Sequence, residues 1–142
     1  NLRAPGRFIA SANRLVDLCR RVNERGTADP GLVDQVVQAW VGAQAYRWQA
    51  AATATRVEEG SALGSEPSMM KIFWSELDVE LHATALRLLG DRADLLEEAP
   101  AAVDGGSWLA GYLFALAGPI YAGTNEIQRN IVAERVLGLP RA

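Results

Sequence analysis

Pro30-Gly31-Leu32-Val33-Asp34-Gln35-Val36-Val37-Gln38-Ala39 opens the stretch that decides the fold. Apolar positions continue through Ala43, Tyr46, Ala50, Ala54 and Val57. From Leu32 and Val36 onward they recur at steps of three and four, the period of a helix with one buried face. The run covers about 28 residues, roughly 40 Å at 1.5 Å per residue, and the glycines at 60 and 64 end it. A helix of that length with a narrow, alanine-rich stripe needs other helices to cover it.

Working outward, the same period predicts a first helix over about 6–25, with Phe8, Ala12, Leu15, Val16, Cys19 and Val22 on one stripe. Gly26 stops it, and Thr27-Ala28-Asp29-Pro30 reads as the turn. Ser65-Glu66-Pro67 reads as the entry to a third helix: a capping hydroxyl, a first-turn acid and a proline where no amide hydrogen is needed. Its face carries Met70, Phe73, Trp74, Leu77, Leu81, Ala85 and Leu88. These side chains are bulkier than those facing them, as interdigitating helices require. Gly90-Asp91 closes it, and residues 91–106 hold no strong period and read as a loop. A short apolar helix over about 108–117 is broken by Gly118-Pro119. A last helix starts at Thr124 or Asn125, either a good N-cap, and runs through Ile127, Ile131, Val132 and Val136 to Gly138. Nothing alternates with period two. The fold class is all-α: an up-down four-helix bundle with a short extra helix.

At 142 residues, 49% apolar, the chain has the size and composition of one folded domain over 1–142. A net charge of −3 and cations scattered along the chain, all arginine except Lys71, argue against a nucleic-acid surface. Cys19 and His82 are the single residues of their kinds, so no disulfide within the chain and no metal site built on several histidines or thiolates is expected. No apolar run has the length of a membrane span, and the first residues do not resemble a signal peptide, so a reducing cytoplasm is the expected location. There is no initiator methionine, which reads as a piece of a longer polypeptide.

The chemistry-bearing motif is Ile120-Tyr121-Ala122-Gly123-Thr124-Asn125-Glu126-Ile127-Gln128-Arg129-Asn130. Gly118, Pro119 and Gly123 bend the backbone between two helices. Thr124 and Asn125 then open a helix whose first amides are without helical partners and carry partial positive charge. Two readings stay open on spacing alone: an ordinary interhelix turn with a satisfied cap, or a helix end that receives an anion such as a phosphate.

Over residues 120–140 the motif resembles the C-terminal signature of acyl-CoA dehydrogenases, and the order of helices and loops before it resembles that family's C-terminal domain. The resemblance implies a flavoprotein that binds FAD with a middle β-domain and a neighbouring subunit, and that dehydrogenates an acyl-CoA. A carboxylate takes the α-proton while the β-hydrogen leaves as hydride to the flavin N5. Carried over by position, Tyr121 and Gly123 flank the base, and Thr124 and Glu126 resemble the pair near the flavin's phosphates and ribose. Gln128, Arg129, Glu134 and Arg135 also match, although i,i+3 and i,i+4 surface pairing accounts for most of them.

The departures are as informative. Where many members carry the catalytic glutamate, this chain has Ala122. Some members place that glutamate just before an arginine at an earlier helix start. Here that position falls at or before residue 1, or at Gly6 beside Arg7, and neither alignment shows a carboxylate. No catalytic residue is therefore assigned within the chain. In the loop after the first helix, Arg25 and Gln35 stand in for polar flavin contacts, but Ala28-Asp29 replaces the family's Phe-Gly. Paired glycines after the third helix shrink to Gly90 followed by Asp91 and Arg92, and Leu113 stands where an arginine is usual. The pattern is similar to bacterial steroid-degrading members that form heterotetramers in which one partner carries the base. The expectation is a homo- or heterotetramer with the long helices mediating assembly, this chain being either a subunit partnered with a base-carrying paralogue or a paralogue that keeps only the fold.

Overall fold

The computed structural model describes residues 4–26 and 29–140. Five α-helices are present: α1 Pro5–Asn23, α2 Pro30–Glu58, α3 Glu66–Leu89, α4 Ser107–Ala115 and α5 Asn125–Arg135. Short 3-10 turns at Gly90–Arg92 and Val103–Gly106 interrupt the long loop between α3 and α4. No strand occurs among the described residues.

Local chemistry sets most boundaries. Pro5 and Pro30 open α1 and α2, where a missing amide hydrogen costs nothing. The Asp29 carboxylate caps α2 by accepting from Gly31 N at 2.8 Å and Leu32 N at 3.3 Å. Gly26 follows α1 with φ +69°, a left-handed conformation that ends a helix. Thr27 and Ala28 of the expected turn, and the candidate position at or before residue 1, lie outside the described residues.

Side-chain pairs fix the topology. Phe8 meets Tyr46 and Asn13 meets Trp40, so α1 and α2 run antiparallel. Arg56 pairs with Glu66 while Arg87 reaches Gln35, so α2 and α3 do too. Trp108 packs on His82 and Gly118 on Ser75, which turns α4 back along α3. α5 then crosses the first half of α3, Arg129 pairing with Glu76. This is the expected up-down bundle, with α5 as the extra helix.

The core lies between α1, α2 and α3. Phe8, Leu15, Ala43, Tyr46, Trp74, Leu81 and Ala85 are essentially inaccessible, and full burial of each large apolar side chain stabilises by about 1.5–3 kcal/mol. The Phe8 and Tyr46 rings meet edge to face at 5.2 Å. Alanines 39 and 43 on α2 admit the bulk of α3, as the contrast in side-chain size predicted.

A second face of α3 is also buried, and it is polar. Lys71, Ser75, Asp78 and His82 follow one another at helical spacing and are all buried. Arg7 Nη2 donates to Asp78 Oδ2 at 3.1 Å. His82 Nδ1 donates to the Asp78 carbonyl at 2.8 Å. α4 comes so close that a Cβ at Gly111 would clash with the His82 imidazole.

Some expectations are corrected. α1 ends at Asn23, α4 at Ala115 and α5 at Arg135, each short of the predicted end because the last turn gives way to a bend or turn. Ser65 makes no side-chain cap; Glu66, held by Arg56, serves that end instead. Phe73 is 43% exposed because the rotation of α3 that buries its polar stripe turns this ring outward. Ala54 and Val57 are exposed while Thr53 is buried against Met70.

Asp104 ties the loop to two helices. Its carboxylate accepts from Arg21 at 2.8 Å and from Trp108 Nε1 at 2.8 Å. The Arg21 hydrogen bond, followed by that of Trp108, holds this carboxyl below its usual range. A depressed folded-state pKa means stability that is full above the unfolded value near 4 and is lost as pH falls through the folded one. Asp104 has φ +52°, which asparagine tolerates, so Asp104→Asn isolates the charge. It should cost about 1 kcal/mol at pH 7, with the gap to the parent narrowing as pH falls below about 4 in denaturant titrations.

Candidate functional site

Everything after α4 depends on a close approach to α3. Gly118 is buried, and a Cβ there would lie 2.9 Å from Ala115 O and 3.3 Å from Ser75 Cβ. The chain then turns outward. Tyr121 is partly exposed, its ring 6.0 Å from that of Trp74. Ala122 takes φ +53°, uncommon for a residue with a side chain. Its carbonyl accepts from Gln128 Nε2 at 3.0 Å, and Gly123 follows at φ +85°.

The choice between Thr124 and Asn125 as N-cap resolves cleanly. Thr124 caps α5, its hydroxyl accepting from Ile127 N at 3.3 Å. The Asn125 side chain is 2% exposed and points into α3. Its Oδ1 accepts from Lys71 Nζ at 2.7 Å and Ser75 Oγ at 3.1 Å, and its Nδ2 donates to Glu76 Oε1 at 3.2 Å. Lys71 Nζ also donates to Pro119 O at 3.1 Å. Burial pushes the Lys71 ammonium below its ordinary value, while Glu126 and Glu76 pull it back.

The amides that open α5 are engaged within the chain. Asn125 N donates to Pro119 O at 2.9 Å and Gln128 N to Thr124 O at 2.9 Å. The Glu126 carboxylate is held below its usual range, first by its own backbone amide and then by the Thr124 hydroxyl. Of the two readings left open by spacing, the geometry favours the satisfied cap, so this helix end offers an incoming phosphate no spare amide.

The start of α1 reaches the same region. Phe8 lies 6.3 Å from Trp74, and Trp74 meets Tyr121 in turn. Of the positions to which the resemblance directs a search for a base, the two among the described residues adjoin this aromatic chain, Gly6 in the helical turn of Phe8 and Ala122 beside Tyr121, and a Cβ at Gly6 would meet open space. Asp78 is nearby but 1% exposed and held by Arg7.

Arg25, Gln35 and Gly90 lie elsewhere. Arg25 lines a groove of about 210 Å³ with Leu89 and Arg92. Gln35 Oε1 accepts from Arg87 at 2.7 Å. Gly90 has φ +55° and open space beside it, its amide donating to Leu86 O. Between Trp74 and Leu89 α3 advances about 22 Å at 1.5 Å per residue. The chain therefore places Tyr121, Gly123, Thr124 and Glu126 together at the turn before α5, and Arg25, Gln35 and Gly90 separately near the other end of α3, not in a single pocket. Leu113 is 58% exposed. Sequence reasoning missed Lys71, Ser75, Asp78 and the inward role of Asn125. The spacing of 71, 75, 78 and 82 was the available signal. Among the described residues no helix is long and apolar enough to cross a membrane, and no cluster of potential metal ligands occurs.

Residues 2–137 match the family described as acyl-CoA dehydrogenase, C-terminal domain. The chain is 38% identical over 136 residues to acyl-CoA dehydrogenase IpdE1 of Mycolicibacterium smegmatis, covering 95% of this chain and 32% of that protein. It is 36% identical to IpdE1 of Mycobacterium tuberculosis, covering 94% of this chain and 33% of that one. It thus spans about a third of the length of these curated relatives. Among solved structures, the Tcur3481-Tcur3483 steroid ACAD superposes with a TM-score of 0.83 at 22% identity, over 97% of this chain and 35% of that one. The ChsE4-ChsE5 complex from Mycobacterium tuberculosis gives 0.78 at 24% identity, over 100% of this chain and 37% of that one. At such identities these structures speak for the fold.

Left-handed geometry at Ala122 is directly testable. Ala122→Gly removes a conformational cost of about 1–2 kcal/mol against about 0.5–1 kcal/mol of added chain entropy. It should leave stability unchanged or raise it by up to about 1 kcal/mol in denaturant titrations. A clear loss would contradict the turn described.

Proposed function

We propose a function on one premise: this chain belongs to the acyl-CoA dehydrogenase family, as its C-terminal helical domain. On that footing residues 1–142 serve flavin-dependent α,β-dehydrogenation of an acyl-CoA, supplying flavin-facing and assembly surfaces but not the base. The observation that carries this reading is the pair Gly6 and Ala122. These are the base positions that fall among the described residues; they adjoin Phe8 and Tyr121 at the two ends of the Phe8–Trp74–Tyr121 chain, and neither bears a carboxylate. Proton abstraction beside a thioester needs a base within hydrogen-bonding reach, so the base comes from a partner or from outside these residues.

The cofactor is FAD, which when bound supplies the hydride acceptor. Tyr121 offers it a partly exposed ring, and Gly123 and Thr124 a backbone and hydroxyl edge. Glu126, engaged with its own amide and Thr124, serves the helix end and not the diphosphate. Arg25, Gln35 and the open surface at Gly90, about 22 Å away along α3, suit the flavin of a neighbouring subunit. Likeness to the Tcur3481-Tcur3483 steroid ACAD and to the ChsE4-ChsE5 complex supports a steroid-derived acyl-CoA and a heterotetramer with a base-carrying paralogue. A buried, unpaired Cys19 thiol is compatible with a reducing cytoplasm.

A second reading, a flavin-holding subunit that does no chemistry, is favoured by one observation: the acids nearest the turn, Glu76, Asp78 and Glu126, are each held by partners within the chain. The two are separated by co-expressing the protein with its natural partner. Flavin absorbance should appear and bleach on adding a steroid-side-chain acyl-CoA, and Thr124→Ala should weaken FAD binding severalfold. Ala122→Glu should leave turnover unchanged in the heteromer. A holoprotein that no acyl-CoA reduces would refute the dehydrogenase reading.

A further inference from the structure

Lys71 is the chain's single lysine, and its side chain is buried at 7% exposure. Nothing in the proposed chemistry uses it. Taking an ammonium out of water costs several kcal/mol, and an apolar side chain of similar volume is often no worse for stability. The hydrogen-bond acceptors that meet Nζ are neutral: the Asn125 amide oxygen at 2.7 Å and the Pro119 carbonyl at 3.1 Å. Those two acceptors lie at the two ends of the turn that displays Tyr121, Ala122, Gly123 and Thr124. One ammonium on α3 therefore spans the base of the whole turn.

The surroundings support the same role. Ser75 Oγ reaches the same Asn125 oxygen at 3.1 Å. Asn125 Nδ2 leads to Glu76, which Arg129 of α5 also holds. The charged groups acting on Lys71 are Glu126 from α5 and Glu76 from its own helix, and Glu76 is in turn held by Arg129 of α5. Gly118 excludes any side chain between the turn and Ser75. The turn has no regular backbone ladder of its own. Ile120 N and Tyr121 N donate to Ala117 O, Asn125 N closes the turn onto Pro119 O, and Gln128 bonds the Ala122 carbonyl, while Lys71 ties both ends to α3.

We propose that Lys71 is a positioning residue whose buried ammonium fixes the 119–125 turn against α3 and so sets Tyr121 and Thr124 for the flavin. The flavin part rests on the proposed function; the hold on the turn does not. The experiment uses the protein co-expressed with its natural partner, with amide hydrogen exchange and FAD titration as separate readouts. In Lys71→Met, amides of residues 120–124 should exchange at least about tenfold faster while Leu15 and Ala43 in the core stay protected. The dissociation constant for FAD should rise about tenfold, a scale set by losing one charge-assisted hydrogen bond. Lys71→Arg, which keeps charge and donors, should recover most of both effects. If Lys71→Met does not fold, Lys71→Gln gives the same two readings. Unchanged exchange in the turn overturns the proposal, and so does faster exchange with undiminished FAD affinity. A parent protein that takes up no FAD sinks the flavin reading instead, and the exchange result still judges the hold on the turn.

Discussion

Lys71, Ser75, Asp78 and His82 are buried along one face of α3, and each must find a hydrogen-bond partner or destabilise the fold. That requirement locates the rest of the molecule. Asp78 draws in Arg7 and with it the start of α1. His82 donates to its own helix and lets α4 approach only where Gly111 has no side chain. Lys71 and Ser75 claim Asn125, which seats α5 and the turn before it. The apolar core of Phe8, Tyr46, Trp74 and Leu81 supplies most of the driving force, but it is non-directional. The polar stripe sets which elements sit where.

That division explains what was legible in the sequence. The stripes of α1 and α2 have one apolar side each, so Phe8, Leu15, Ala43 and Tyr46 were found by period alone. α3 is covered on two sides. Its apolar side, with Trp74 and Leu81, was read correctly, while Lys71 to His82 resembled the solvated face of an amphipathic helix. Phe73 was assigned inward for the same reason, since the helix is rotated to bury both stripes. At the turn, the cap was legible as Thr124 or Asn125 because both residue types cap well. The decision between them came from a tertiary partner on α3, which local sequence does not encode. The distance from the Tyr121 turn to Arg25, Gln35 and Gly90 is likewise a property of how far α3 extends.

Electrostatics around the turn bears on which acids are available for proton transfer. Glu126 is engaged by its own amide and Thr124, Glu76 by Arg129 and Asn125, and Asp78 by Arg7 within the core. Stabilised in its charged form, the Glu126 carboxylate is a weaker base and a poor proton acceptor. The acids nearest the turn are therefore committed to holding structure, and Gly6 and Ala122 add none. Chemistry and architecture agree: this surface presents rings, a hydroxyl and backbone to its surroundings and keeps its charges for itself.

Cys19 sits on the buried side of α1, and burial pushes its thiol above the ordinary value. Thiolate is the species that alkylates, so the native sulfur reacts slowly while the bundle is intact. A cysteine engineered onto an exposed site would outpace it without any prior deletion. The wild-type background thus serves as a near-blank canvas for single-dye or spin-probe attachment, and late labelling of Cys19 itself would report opening of the core.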